Sequence, residues 1–175
     1  MSLHAIENTP SFPPSGDLPG EIPADAVCHA LVRRGLALWR ELRGQRLFPS
    51  RSQTSPRALG PLLRNTVFVK VLGGGEEFQI RVMGDVITAA QDFPLQGLTT
   101  AAIDRVLPGY GRTLHGLYSR ACTTRAPVAL RGPLVRKSRL GQVCREYLLL
   151  PLGETDAAVD HLLSLIVYLS PSENV

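Results

Sequence analysis

The chain has 175 residues, enough for one domain with trimmings and a sizeable core. Hydrophobic residues at 44% and charged residues at 19% are ordinary for a globular protein, and no apolar run reaches the roughly 18 residues that a bilayer span requires. The formal charge of +4 rests mainly on arginines that acidic and apolar positions interrupt, a pattern that argues for a solvated face or a docking surface for an acidic protein and against nucleic-acid binding.

Residues 1–22 carry Pro10, Pro13, Pro14 and Pro19 among glycines, serines and acidic residues, too little apolar surface to offset ordering, and read as a flexible tail. They lack a basic segment followed by an apolar run, so no secretory signal is expected. The expected address is the cytoplasm, with no membrane partner and with Cys28, Cys122 and Cys144 as reduced thiols. Over 23–44, Val27, Leu31, Leu38 and Leu42 recur at helical spacing beside Ala30 and Trp39, which predicts an amphipathic helix. Pro23 and Asp25 suit its first turn and Gly44 its end. Such a helix covers the sheet of its own domain or pairs with its twin in a homodimer, and Leu31, Leu38 and Trp39 form the expected dimer or partner surface.

The main domain is expected over 45–170, with 171–175 as a C-terminal tail. After a polar connector, Arg57 to Leu63 reads as a short helix behind Pro56. Thr66 to Leu72, dense in β-branched residues, reads as a strand. Gly73-Gly74-Gly75-Glu76 is a hairpin turn and not a phosphate loop, because no Gly-Lys-Ser/Thr follows and it joins strand to strand. Glu77 to Met83 is the return strand, with Phe78, Ile80 and Val82 on one face and Gln79 and Arg81 on the other. Short helices follow over Asp85 to Asp92, capped by Asp85, and over Ala101 to Leu107. The longest inner helix is 110–124, with Leu114, Leu117, Tyr118 and Ala121 as its apolar stripe. Pro127 to Val135, Val143 to Leu152 and Val159 to Leu169 read as three strands, Pro133 demoting the far end of the first to an edge or a bulge.

This order, with Trp39 and Arg43-Gly44, Pro49-Ser50-Arg51, Pro56, Phe78 through Arg81 to Gly84, Gly97, Pro127-Val128, and Glu146 with Leu148-Leu149-Leu150-Pro151-Leu152, resembles the PAS superfamily. More narrowly it is similar to short bacterial single-PAS proteins formerly catalogued as a domain of unknown function. The resemblance implies an α+β fold: a five-stranded antiparallel sheet with small helices and one longer helix on one face. It also implies a cavity between that helix and the sheet, holding haem, flavin, a small metabolite or nothing, and a dimerising signal relay.

Within that frame His115, Tyr118, Arg81 and Tyr147 are the candidate pocket residues. Leu107-Pro108-Gly109-Tyr110, His115-Gly116-Leu117-Tyr118 and Thr123-Thr124 resemble the helix of oxygen-sensing haem PAS domains, where a His-Asp-x-Tyr motif supplies the iron ligand. Gly116 stands where that Asp belongs, and Arg131 is the nearest arginine for a distal role, so the expectation is a partly buried histidine with a local hydrogen bond. No cysteine run of the flavin-binding kind is present. Arg81 is expected to bridge to Glu146 in preference to clamping an acidic ligand. Tyr118 and Tyr147 are expected as buried tyrosines with satisfied hydroxyls before ligand contacts. His4, His29, His115 and His161 form no metal set by local spacing, and no nucleophile elbow, Walker loop or paired-carboxylate motif appears. The sequence therefore predicts a non-catalytic sensor that binds a small ligand or a protein partner, with a ligand-free interaction scaffold as the alternative and a haem sensor as the weaker one.

Overall fold

The computed structural model describes residues 20–91, 93–132 and 143–169. Six strands form one antiparallel sheet: β1 (Glu21–Ile22), β2 (Thr66–Leu72), β3 (Glu77–Met83), β4 (Val128–Arg131), β5 (Val143–Leu152) and β6 (His161–Leu169), in the order β1-β4-β5-β6-β2-β3. The expected number was five. The sixth is β1, two residues that pair with Leu130 and Ala129 of β4, and it is too short to show a period of its own. Glu21 and Ile22 thus belong to the fold and not to the tail that their proline-rich context suggested. The expected disturbance at Pro133 lies outside the described residues.

The β2–β3 hairpin has the predicted bounds, and its turn holds Gly73, Gly74 and Gly75 at φ of 55°, 68° and 112°, a left-handed run that side chains resist. One expectation fails on β3. Val69 pairs with Ile80 but Phe68 with Val82, so Arg81 is an extra residue and the alternation slips by one. Phe78 and Ile80 face the core, Met83 packs beside them, and Val82 turns to the other side and is exposed.

Each face of the sheet is covered. On one lie α3 (Asp85–Ala90), α4 (Thr100–Val106) and α5 (Tyr110–Thr124), whose Ile87, Ile103, Leu114 and Leu117 pack on Phe78, Ile80, Leu149 and Ile166. On the other lie α1 (Ala30–Arg43) and α2 (Pro56–Leu59), where Val32, Leu36, Trp39, Phe48 and Leu59 pack on Phe68, Leu148, Leu150 and Leu165. The small helices therefore divide between the faces instead of sharing one. Among the described residues, no helix is long and apolar enough to cross a membrane.

Two helix starts differ from expectation. Ala24–Ala26 make only a single 3-10 turn, the chain extends again through Val27, and α1 begins at Ala30. His29 caps it, its Nδ1 accepting the Leu31 amide at 3.2 Å, a role outside the usual Ser, Thr, Asp and Asn signals. Gly84 and not Asp85 occupies the cap position of α3, while Asp85 sits in the first turn and pairs with Arg64.

Candidate functional site

The stripe that makes α5 a helix also points Tyr118 at the sheet. Tyr118 is fully buried and is hydrogen-bonded to Tyr147 on β5. The Tyr147 hydroxyl donates to Ser164 Oγ on β6 at 3.4 Å. Phe78 packs edge-on against Tyr118, with centroids 5.4 Å apart. Burial drives the Tyr118 phenol well above its ordinary pKa, so the group stays protonated and serves as a hydrogen-bonding hydroxyl. The three hydroxyls form a polar thread between α5 and the two central strands, inside a wall of Leu114, Leu117, Leu149, Leu162 and Ile166. Burying hydroxyls in such surroundings is unfavourable unless each finds a partner. Tyr118 and Tyr147 were legible in the sequence; Ser164 was missed, although it interrupts the inward row Leu162, Ser164, Ile166 on β6.

His115, one turn before Tyr118 on α5, lies at the rim. Its Nε2 meets the Glu76 carbonyl at 3.0 Å, its Nδ1 meets Ser119 Oγ at 3.3 Å, and its ring stands edge-on to Phe78 at 5.1 Å. A carbonyl only accepts, so Nε2 donates and in the neutral ring the Nδ1 lone pair takes the serine hydroxyl. Both nitrogens are thus occupied, and this arrangement does not fit a proximal haem ligand. His115 borders an open cleft of about 450 Å³ with Glu77, Thr100, Asp104, Arg105 and Arg112. The carboxylates there tie α4 to its neighbours, Glu77 joining it to β3 and Asp104 to the start of α5. Glu77 accepts from Thr100 Oγ1 and from the Ala101 amide at 3.2 Å, and Asp104 accepts from Gly109 N at 2.9 Å and Arg112 Nη1 at 2.9 Å. Partial burial pushes the Glu77 carboxyl up, but the bonds from Thr100 and the Phe78 and Ala101 amides hold it below its ordinary value.

Arg81 does not join this group. It is exposed, hydrogen-bonds Gln79 Oε1 at 3.1 Å, and is three strands away from Glu146. Glu146 is opposite Arg131 in the β4–β5 register instead, and Arg131 Nη2 lies 3.1 Å from its Oε1. The Glu146 carboxylate, wholly buried, also accepts the Cys28 and His29 amides at 2.8 and 2.9 Å, fastening the lead-in of α1 to the sheet. Burial raises this carboxyl, but the two amides and Arg131 outweigh it and leave its pKa lowered. The bridge expected from Arg81 to Glu146 is not made; the β4–β5 register sets Arg131 opposite Glu146 instead.

Of the three residues expected at a dimer or partner surface, Trp39 is buried against its own sheet and donates from Nε1 to the Pro151 carbonyl at 2.8 Å. Leu31 and Leu38 are half-buried along the same seam. Several arginines at the end of α1 and just after it are committed within the fold. Arg46 Nη2 bonds the Gly153 and Glu154 carbonyls, Arg51 stacks 3.7 Å from the Phe68 ring, and Arg43 lies over Trp39. Arg136, Lys137 and Arg139 lie outside the described residues.

No curated protein matches the chain, and no solved structure does. A family model described as PAS domain matches residues 28–167, which begins at the lead-in of α1 and ends within β6. The matched stretch holds five strands of the sheet, both helical layers and the Tyr118–Tyr147–Ser164 thread, and this chain belongs to the PAS-domain family.

Proposed function

We propose that this chain is a non-catalytic PAS sensor that binds a small amphipathic ligand between α5 and the sheet and relays that state to a protein partner through α1. The observation that carries this reading is the hydroxyl thread Tyr118–Tyr147–Ser164, buried where apolar side chains alone would pack more favourably. A ligand carbonyl or hydroxyl inserted between α5 and β5 exchanges its own hydrogen bonds for those of the tyrosines, so little polar bonding is lost. The relay is the Glu146 fastening, one residue away on β5. In this reading 45–170 is the sensing unit and 23–44 its output segment, in the cytoplasm, with a homodimer formed along the half-buried Leu31 and Leu38. Leu38→Glu then yields a monomer by light scattering.

Native mass spectrometry of freshly purified protein tests the pocket. A mass excess that disappears on denaturation, and that Tyr118→Phe with Tyr147→Phe removes, supports it. An unliganded mass whose thermal stability no small-molecule panel raises refutes it. The second reading is an interaction scaffold with a self-filled interior, favoured by the close packing of Phe78, Leu117 and Leu149 around the tyrosines.

A further inference from the structure

The outward side of α1 differs from its buried side in chemistry as well as in exposure. Arg33, Ala37 and Arg40, at i, i+4 and i+7, form one exposed stripe. Beside it a groove of about 420 Å³ runs between α1 and the preceding 3-10 turn, lined by Asp25, Val27, Arg33, Leu36, Ala37 and Arg40. Val27 and Leu36 form an apolar floor, and Ala37 leaves the middle low. No described residue hydrogen-bonds or ion-pairs the Arg33 guanidinium. Arg40 Nη1 meets Asp25 Oδ1 at 2.7 Å, in a bridge whose two side chains are 46% and 77% exposed. A bridge this exposed is screened by water and salt, so another carboxylate can replace Asp25 at small loss.

We propose that this groove docks an acidic segment of a partner protein, with one carboxylate on Arg33, a second on Arg40 and a small apolar side chain over Ala37. Seven residues of helix separate the two arginines by about 10 Å, which sets the spacing of the partner's acidic groups. Asp25 occupies the second carboxylate position within the chain and competes for it. A nucleic-acid strand suits the groove poorly, because closely spaced phosphates fall against Asp25 and the exposed Glu41 as well as the arginines. This docking site rests on the preceding reading only in taking α1 as the output surface.

The test is fluorescence anisotropy of the full chain with a fluorescein-labelled helical peptide, Glu-Ala-Ala-Leu-Glu-Ala-Ala repeated twice, which presents glutamates at i and i+7. The expected result is saturable, salt-sensitive binding that Arg33→Glu with Arg40→Glu weakens about tenfold or more, the loss of two screened ion pairs. Asp25→Asn tightens it about threefold by removing the internal competitor. Arg33→Ala with Arg40→Ala replaces the reversal pair if circular dichroism shows that pair unfolded. Absence of binding, binding indifferent to the arginine changes, no gain from Asp25→Asn, or tighter binding of a short DNA duplex to the same face each overturns the proposal. None of these substitutions touches Tyr118, Tyr147 or Ser164. Peptide binding and the ligand mass therefore fail or succeed separately.

Discussion

At the scale of single residues, Glu146 shows how a buried charge is made tolerable. Its side chain has no solvent contact, yet two backbone amides and a guanidinium take its lone pairs. Arg131 is 43% exposed, so its electrostatic share is screened and the amide bonds carry most of the effect. Glu146→Gln places an amide donor against one of those N–H groups and is expected to destabilise by about 1–3 kcal/mol in urea unfolding. The pH dependence has a definite sign. Because the folded pKa is depressed, the stabilisation is present above the ordinary value of 4.5 and disappears as pH falls through the lower folded value. Wild type should therefore lose stability on acidification more steeply than Glu146→Gln, and the difference between their unfolding curves below pH 4.5 isolates this carboxyl from Glu77 and Asp85, whose pKa values are also lowered. Tyr147→Phe leaves Tyr118 and Ser164 without that partner. It is expected to cost about 1–3 kcal/mol in the unliganded protein. A stabilised Tyr147→Phe protein would mean that the thread is held under strain.

The seating of α1 depends on the absence of a side chain at one position. A Cβ on Gly35 would collide with Leu165 Cδ1 on β6, so glycine lets the helix lie close to the sheet despite its poor helix propensity. Gly35→Val should overpack this contact and lower stability by about 1–3 kcal/mol, with α1 lifting first in amide exchange. The elements most legible in the sequence were those with a strong period or sharp punctuation. β2 and β3 bracketed by three glycines, α5 with its stripe, and β5 with its leucine run emerge at the expected bounds. The illegible parts depend on partners far along the chain. β1 exists because β4 offers an edge, the slip at Arg81 because β2 fixes the register, and the late start of α1 because Glu146 grips residues 28 and 29 from 118 and 117 positions away. Among the site residues, the tyrosines announce themselves as bulky members of apolar rows, whereas Ser164 and the Glu146–Arg131 pair acquire meaning only once the strands are aligned.

Taken whole, the molecule is a sheet with a different relation to its cover on each side. α5 and its neighbours enclose the polar thread, while α1 and α2 enclose leucines and aromatics with no buried hydroxyl cluster of that kind among the described residues. In the function proposed above, ligand chemistry belongs to one side and partner chemistry to the other. Cys28 and Cys122 follow the same division: Cys28 is exposed, whereas burial pushes the Cys122 thiol up to about 11 on the inner side. Thiol labelling at pH 8 should therefore modify Cys28 well before Cys122, and equal rates would show that the inner layer opens readily.

Tyr147 and Glu146 are neighbours on one strand and emerge on opposite sides of the sheet. Successive residues of a strand point to opposite faces, so a ligand that shifts the β5 backbone at Tyr147 is expected to shift Glu146 on the other face as well. The Cys28 and His29 amides, bonded to Glu146 on the opposite face, then report on the buried hydroxyls. Their deuterium uptake, compared between wild type and Tyr147→Phe, should change together even though neither amide touches the tyrosine.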